Sequence, residues 1–282
     1  MSFAVRRNGR FNDTNLTENN AVPKWYEDTV RTGGVDLALV KGGSGKPLLI
    51  FHDELGYTGW MTWNERLAEE RTLVIPLQPG FGKTPRLDWI RDFRDLAAFY
   101  ARMVREMRLD PVDVIGFSAG GWIAAEMAAA DPHLLRSMTL VGPLGIRPRR
   151  GEILNFIAMT IRSHLRATVA DTVNTPEFGK IYGGEMTPET FEAFEDARAE
   201  TTRLGWEPFM HSPSLPYRLE GVRVPALIVW GDRDSVVPRG VVERYAEALQ
   251  GAKVEEIRGA GHRPEIEKPG EFVRAVKNFL AA

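Results

Sequence analysis

Residues 112–130 run VDVIGF, then Ser118-Ala119-Gly120, then GWIAAEMAAA. An apolar run that breaks at Gly-x-Ser-x-Gly into small residues predicts strand, sharp turn and helix in immediate succession. Glycine two residues before and two after the serine removes the clashes that larger side chains would make in so tight a turn. The turn then lifts the serine hydroxyl clear of the sheet, where a base can reach it. Few other segments restrict a chain to so narrow a set of folds.

The rest of the chain is consistent with that segment. Strand-like runs TLVIPL (72–77), VDVIGF, SMTLVG and VPALIVWG (224–231) alternate with helix-like ones, including an amphipathic stretch over roughly 91–108 with Phe93, Leu96, Phe99, Tyr100 and Met103 on one face. Strands that are apolar throughout are covered on both sides, so the alternation predicts a mostly parallel twisted sheet with helices on both faces. Before it, KWYEDTVRT, VDLALV and PLLIFHD read as strands joined in hairpins by Gly33-Gly34 and by Gly42-Gly43-Ser44-Gly45. The GSGK at 43–46 fails as a phosphate loop, because Val40 and Pro47 stand where Gly and Ser or Thr are required. Between about Gly145 and Leu219 the alternation stops. GEILNFIAMTIRSHL and the run after Thr187-Pro188 look helical, the second with Thr187 as N-cap and Phe191, Phe194, Ala197, Thr201 and Leu204 on one face. A helical insertion in an α/β core accounts for this.

Composition excludes several functions. A net charge of −2 gives no pull toward nucleic acid or an anionic membrane. No apolar run approaches the roughly 18 residues of a membrane span. The absence of cysteine rules out a thiolate nucleophile, disulfides and cysteine-ligated zinc. Residues 1–24 read as a polar extension with no apolar stretch of signal-peptide length, so a cytoplasmic protein is expected. Its Asn12 and Asn15 triplets carry no weight without a secretion signal.

A serine hydroxyl needs a base. Of the five histidines, His133 follows a helix in an exposed-looking loop, His164 and His211 lie in the insertion without a motif, and His52 ends a strand. His262 sits in Gly259-Ala260-Gly261-His262, directly after the last strand, and is the expected base. The residue that orients it is sought in Gly231-Asp232-Arg233-Asp234, at the end of the preceding strand. Asp234 is preferred because the turn is complete there, whereas Asp232 suits a turn residue that bonds its own backbone. The order Ser118, Asp234, His262 is the one expected with this elbow.

On these residues the sequence resembles the α/β-hydrolase superfamily, from about Trp25 to Ala282. LQPGFGKT (77–84) resembles the glycine-rich turn after the fourth strand, and GDRDSVVP (231–238) resembles the G-x-x-D-x-x-x-P acid turn. GHRPEIEKPGEF (261–272) resembles the histidine loop, and LVGPLGI (140–146) the exit into a cap. The resemblance implies a core over 25–146 and 219–282, a helical cap over 147–218, and backbone N–H groups of Glu54 and Ala119 as the oxyanion hole. One loop departs from the family. His-Gly is usual, but here the sequence is His52-Asp53-Glu54-Leu55-Gly56, with Asp53 expected to tolerate left-handed backbone and both carboxylates to be bonded and structural. A metal site at these three residues lacks a second histidine at ligand spacing. No metal or cofactor is expected.

The implied chemistry is acyl transfer to Ser118 followed by hydrolysis, most simply of a small to medium, largely apolar carboxylic ester. Ile157, Trp206 and Met210 are candidates for lining its pocket, with Met159 and Phe209 nearby; the competing reading of each is packing between insertion and core. Two alternatives stand. One is carbon–carbon hydrolysis of a diketone of the meta-cleavage type, against which Arg263 occupies a position usually held by tryptophan. The other is a small-molecule receptor without turnover. The expected partner is a small-molecule substrate, with monomer and homodimer both open.

Overall fold

A computed structural model describes residues 24–179 and 186–282. The extension expected over 1–24 lies, apart from Lys24, outside them. Eight strands form one sheet: β1 (Trp25–Thr32), β2 (Val35–Gly42), β3 (Lys46–Phe51), β4 (Arg71–Pro76), β5 (Val112–Phe117), β6 (Leu135–Val141), β7 (Ala226–Gly231) and β8 (Lys253–Ile257), in the order β1-β2-β4-β3-β5-β6-β7-β8. β2 pairs antiparallel with β1 and β4, and every other neighbouring pair is parallel. This is the α/β-hydrolase architecture.

The period of two along each strand divides the core. Leu49, Phe51, Val112 and Val114 face one side, with α2 (Phe93–Glu106), α3 (Ala119–Ala130) and α8 (Arg239–Ala248). Leu48, Ile50, Ile115 and Phe117 face the other, with α1 (Thr62–Ala68), α9 (Pro264–Glu267) and α10 (Pro269–Leu280). β5 and β7 are buried at every position, as strands covered on both faces must be. β8 ends the sheet, and its exposed Lys253, Glu255 and Glu256 discourage another chain from pairing with that edge.

Two expectations need correction. Gly33-Gly34 joins the hairpin β1–β2, but residues 43–45 do not close a second hairpin, because β4 lies between β2 and β3. The reason is local crowding. A Cβ on Gly43 would come within 2.4 Å of Ala68 O, and one on Gly45 within 2.3 Å of Glu70 O, so this turn is packed against the α1–β4 connection. The helix expected over GEILNFIAMTIRSHL shrinks to a 3-10 turn at Phe156–Ala158 and α4 (Ile161–Ala167). Its first half is bound elsewhere: Leu154 N–H donates to Val236 O, and Arg198 donates to the carbonyls of Phe156 and Met159.

Between β6 and β7 the described residues form helices and no strand of the sheet: α4, the short α5 (Pro176–Phe178), α6 (Pro188–Gly205) and α7 (Leu215–Leu219). Thr187 caps α6 by accepting from Thr190 N–H, with Pro188 at the first helical position. Phe194, Ala197, Thr201 and Leu204 of the expected face are buried, and Phe191 remains exposed. α7 packs on α3 and α8, so a boundary at 218 divides it from the core it rests on.

Candidate active site

In open α/β sheets ligands are met at the carboxyl ends of the strands, and Ser118, Asp234, His262 and the loop at Asp53 and Glu54 all lie there. β5 is central. The loop after its neighbour β3 carries Asp53 and Glu54, and the loops after β7 and β8, on its other side, carry Asp234 and His262. Topology alone thus sets the Asp53–Glu54 loop on one flank of Ser118 and Asp234 with His262 on the other.

Ser118 has φ 49° and ψ −110°, a left-handed backbone that a serine adopts only when its surroundings enforce it. Its N–H donates to Val141 O at 2.8 Å, and its carbonyl accepts from Leu144 N–H at 3.1 Å. The flanking glycines are obligatory. A Cβ at position 116 would lie 2.3 Å from Gly120 O, and one at 120 would lie 2.4 Å from Phe51 O. Ala119 opens α3, so its N–H is among those left without an intrahelical acceptor.

Asp234 Oδ2 lies 2.8 Å from His262 Nδ1, and Asp234 Oδ1 accepts the N–H groups of Val236 and Val237 at 2.8 Å each. The aspartate is therefore fixed by its own turn and aimed at the imidazole. Asp232 instead accepts from Gly259 N–H at 2.6 Å and ties two loops together. Burial opposes the imidazolium form of His262, but the adjacent Asp234 carboxylate, with help from Glu54, outweighs it and pushes the pKa up to about 9. Ser118 Oγ and His262 Nε2 are both buried with no hydrogen-bond partner, the two atoms that proton transfer would join.

The loop expected to supply the oxyanion hole is built differently from expectation. Asp53 does not take left-handed backbone; within the loop that role falls to Gly56 at φ 91°. Side chains supply the restraint. Asp53 Oδ1 accepts from Leu55 N–H at 2.9 Å, and its Oδ2 lies 2.5 Å from Arg263 Nη2. Glu54 is fully buried, with Oε1 3.2 Å from His164 Nε2. Burial opposes the Glu54 charge, but the contact with His164 and the nearby His262 and Arg263 outweigh it and hold the carboxyl well below its usual range. Asp53 is thus paired with Arg263, whereas Glu54 lies within ion-pair reach of His164 without a hydrogen bond to either of its carboxylate oxygens among the described residues. His52 Nε2 accepts from Gln78 N–H at 3.2 Å, so its Nδ1 carries the proton and donates to Asp53 O at 2.9 Å. Burial lowers the His52 pKa to about 4 and keeps the ring neutral.

None of the three pocket candidates lines the cavity beside Asp53 and Arg263. Trp206 is 59% exposed, Met210 is wholly buried in the core cluster beside Gly205, and Ile157 packs half-buried on the same cluster. Met210 and Ile157 are thus spent on packing between insertion and core, while Trp206 is left largely in solvent. That small cavity, of about 30 Å³, lies behind the site, between Asp53, Tyr57, Phe117, Arg263 and Glu265. Burial pushes the Glu265 pKa up to about 8 despite Arg263 nearby.

Sequence reasoning passed over Gly142. At φ 48° it directly follows β6 against Asp234 and His262, where a Cβ would lie 2.9 Å from both Nδ1 and Cε1 of His262. A glycine closing a strand next to the elbow was the available signal.

Known proteins are similar to this chain. The model described as the alpha/beta hydrolase family matches residues 48–275. The 2-hydroxy-6-oxo-2,4-heptadienoate hydrolase of Pseudomonas putida is 26% identical over 276 residues, covering 90% of this chain and 95% of that protein. Pyrrolizixenacetamide deacetylase of Xenorhabdus hominickii is 24% identical, over 89% of this chain and 97% of its own length. Among solved structures, a bacterial membrane phospholipase A superposes with a TM-score of 0.77 at 24% identity, covering 92% of this chain and 86% of that one. No helix among the described residues is long and apolar enough to cross a membrane. With its elbow, sheet order and a family match over most of its length, the chain belongs to the alpha/beta hydrolase family of hydrolases.

Proposed function

We propose that the chain is a serine hydrolase that cleaves a carboxylic ester or related acyl bond of a small-molecule substrate through an acyl-enzyme. The observation that carries this reading is the 2.8 Å contact of Asp234 with His262, at the same end of the sheet as a serine held in left-handed backbone. Ser118 Oγ attacks the acyl carbon while His262 Nε2 takes its proton, and Asp234 stabilises the imidazolium. The N–H groups of Glu54 and Ala119 hold the oxyanion. As the intermediate collapses, His262 returns the proton to the leaving alkoxide. Water, deprotonated by the same imidazole, then releases the acid and restores Ser118.

A fluorophosphonate probe tests the nucleophile. Labelling should occur at Ser118, and Ser118→Ala should abolish both labelling and turnover of a chromogenic ester series of increasing acyl length. Wild-type protein that takes no label and releases no product, yet binds ligands, would make it a receptor.

A second reading, carbon–carbon hydrolysis of a diketone, is favoured by the likeness to the heptadienoate hydrolase. A vinylogous diketone assayed beside the esters separates the two by kcat/KM. Arg263 bears against it as a free carboxylate receptor, because its guanidinium already lies against Asp53.

A further inference from the structure

The loop that departs from its family is held by the insertion rather than by glycine. Two side chains there reach Glu54. His164 Nε2, from α4, lies 3.2 Å from Glu54 Oε1, and Thr201 Oγ1, from α6, donates to the Glu54 carbonyl at 3.0 Å. Phe156 stacks flat on the His164 ring, with centroids 4.8 Å apart and planes 5° apart, so the imidazole is not free to turn. His164, Thr201 and Glu54 are all buried. Thr201 and His164 hold the Glu54 Cα from its carbonyl and side-chain directions. The Asp53 carbonyl, which shares a peptide plane with the Glu54 N–H, accepts from His52 Nδ1 at 2.9 Å and from Gly56 N–H at 3.2 Å; held at both ends, that N–H has a set direction.

The same helix also meets the other side of the site. Ser235, next to Asp234, donates its hydroxyl to Ala167 O at 2.7 Å, and Arg263 N–H, next to His262, donates to Thr168 O at 3.1 Å. Glu267 accepts from Gly261 N–H at 2.6 Å and from Ala170 N–H at 2.8 Å, which joins the histidine loop to the turn after α4. One short helix and its final turn therefore touch the oxyanion, acid and base loops together.

We propose that His164 and Thr201 are positioning residues that aim the Glu54 N–H at the oxyanion, so that α4 and α6 must be seated for Ser118 to react. This rests on Ser118 as the acyl-accepting nucleophile and Glu54 as an oxyanion donor. An oxyanion exists only in the transition state, so a misdirected donor lowers kcat and leaves substrate binding nearly untouched. Loss of one such donor outright lowers kcat by about 10²–10³-fold; a displaced one falls short of that.

The test uses the full chain and four variants. Thr201→Val and His164→Leu should each lower kcat by about 10- to 100-fold with KM within about twofold of wild type. Thr201→Ser and His164→Gln, which keep a donor at the same reach, should recover most of it. Thr202→Val is the control, because that hydroxyl bonds Arg198 O one turn back on the same helix; it should leave kcat alone. Melting temperatures are measured alongside, and Thr201→Val, which deletes one hydroxyl, serves if His164→Leu fails to fold. Variants that melt earlier but keep kcat, or that raise KM instead, overturn the inference while leaving the nucleophile in place. Wild-type protein without labelling at Ser118 overturns the serine-hydrolase reading, and the inference with it.

Discussion

At Gly142 a single methyl group has nowhere to go. Gly142→Ala would set a Cβ 2.9 Å from the His262 ring in a backbone that already disfavours it. The imidazole must shift, and misplacement of about 1 Å costs on the order of 10²-fold in rate. Steady-state kinetics should show that loss in kcat, with Ser118 still accepting a phosphonate slowly; unchanged kcat would show that the ring has room. Asp234→Asn keeps the shape but selects the wrong imidazole tautomer, and should lower kcat by about 10⁴-fold. The protonation of His262 itself governs the pH profile. With a pKa raised to about 9, the free base is scarce at neutral pH, so kcat/KM should climb about tenfold per pH unit from 6 to 8 and level off above 9. A plateau beginning near pH 6.5 would show that Asp234 does not hold the ring as described. Ser118, Asp234 and His262 were legible in the sequence because each lies inside a short motif whose spacing its chemistry dictates. Gly142, His164 and Thr201 were not, since their meaning comes from residues far along the chain that only folding brings near.

Among the elements, the sheet and its covering helices could be read in advance because their periodicity is local. The strand order could not: Gly43-Ser44-Gly45 has the composition of a hairpin, and only the packing of the α1–β4 connection shows that it is none. The insertion was the least legible part, as Leu154 to Met159 give their backbone bonds to an acid loop and an arginine that no pattern links to them. The join between α3 and α7 can be tested directly. Glu126, buried in α3, accepts from Trp122 Nε1 at 3.1 Å and pairs with Arg218 of α7. Arg218→Met strands that carboxylate. The cost should be about 3 kcal/mol, the low end for breaking a buried pair because Arg218 is 30% exposed, seen as a lower urea midpoint. Restoration by Glu126→Gln in the double variant would identify the stranded charge as the cause, and an unchanged midpoint in the single variant would refute it.

Across the whole molecule, stability and activity should respond to pH in opposite senses. His262 titrates higher when folded than its ordinary 6.5, so its stabilising contribution is complete below 6.5 and is lost as pH rises through about 9. Glu265, raised from 4.5 to about 8, adds to the same decline, because the folded state holds its proton longer than the unfolded chain does. Glu54, depressed when folded, contributes above its ordinary 4.5 and loses that contribution on acidification. The protein should therefore resist urea best near pH 5–6 and work fastest near pH 9; denaturation midpoints that rise between pH 6 and 9 would contradict this. The attachment of Glu54 to His164 and Thr201 has one more consequence, for inheritance. A relative's insertion grafted onto this core would bring foreign residues opposite Glu54, so positions 54, 164 and 201 should be exchanged as a set. In this branch, new substrate pockets would then arise more readily by altering residues within the insertion than by trading it whole.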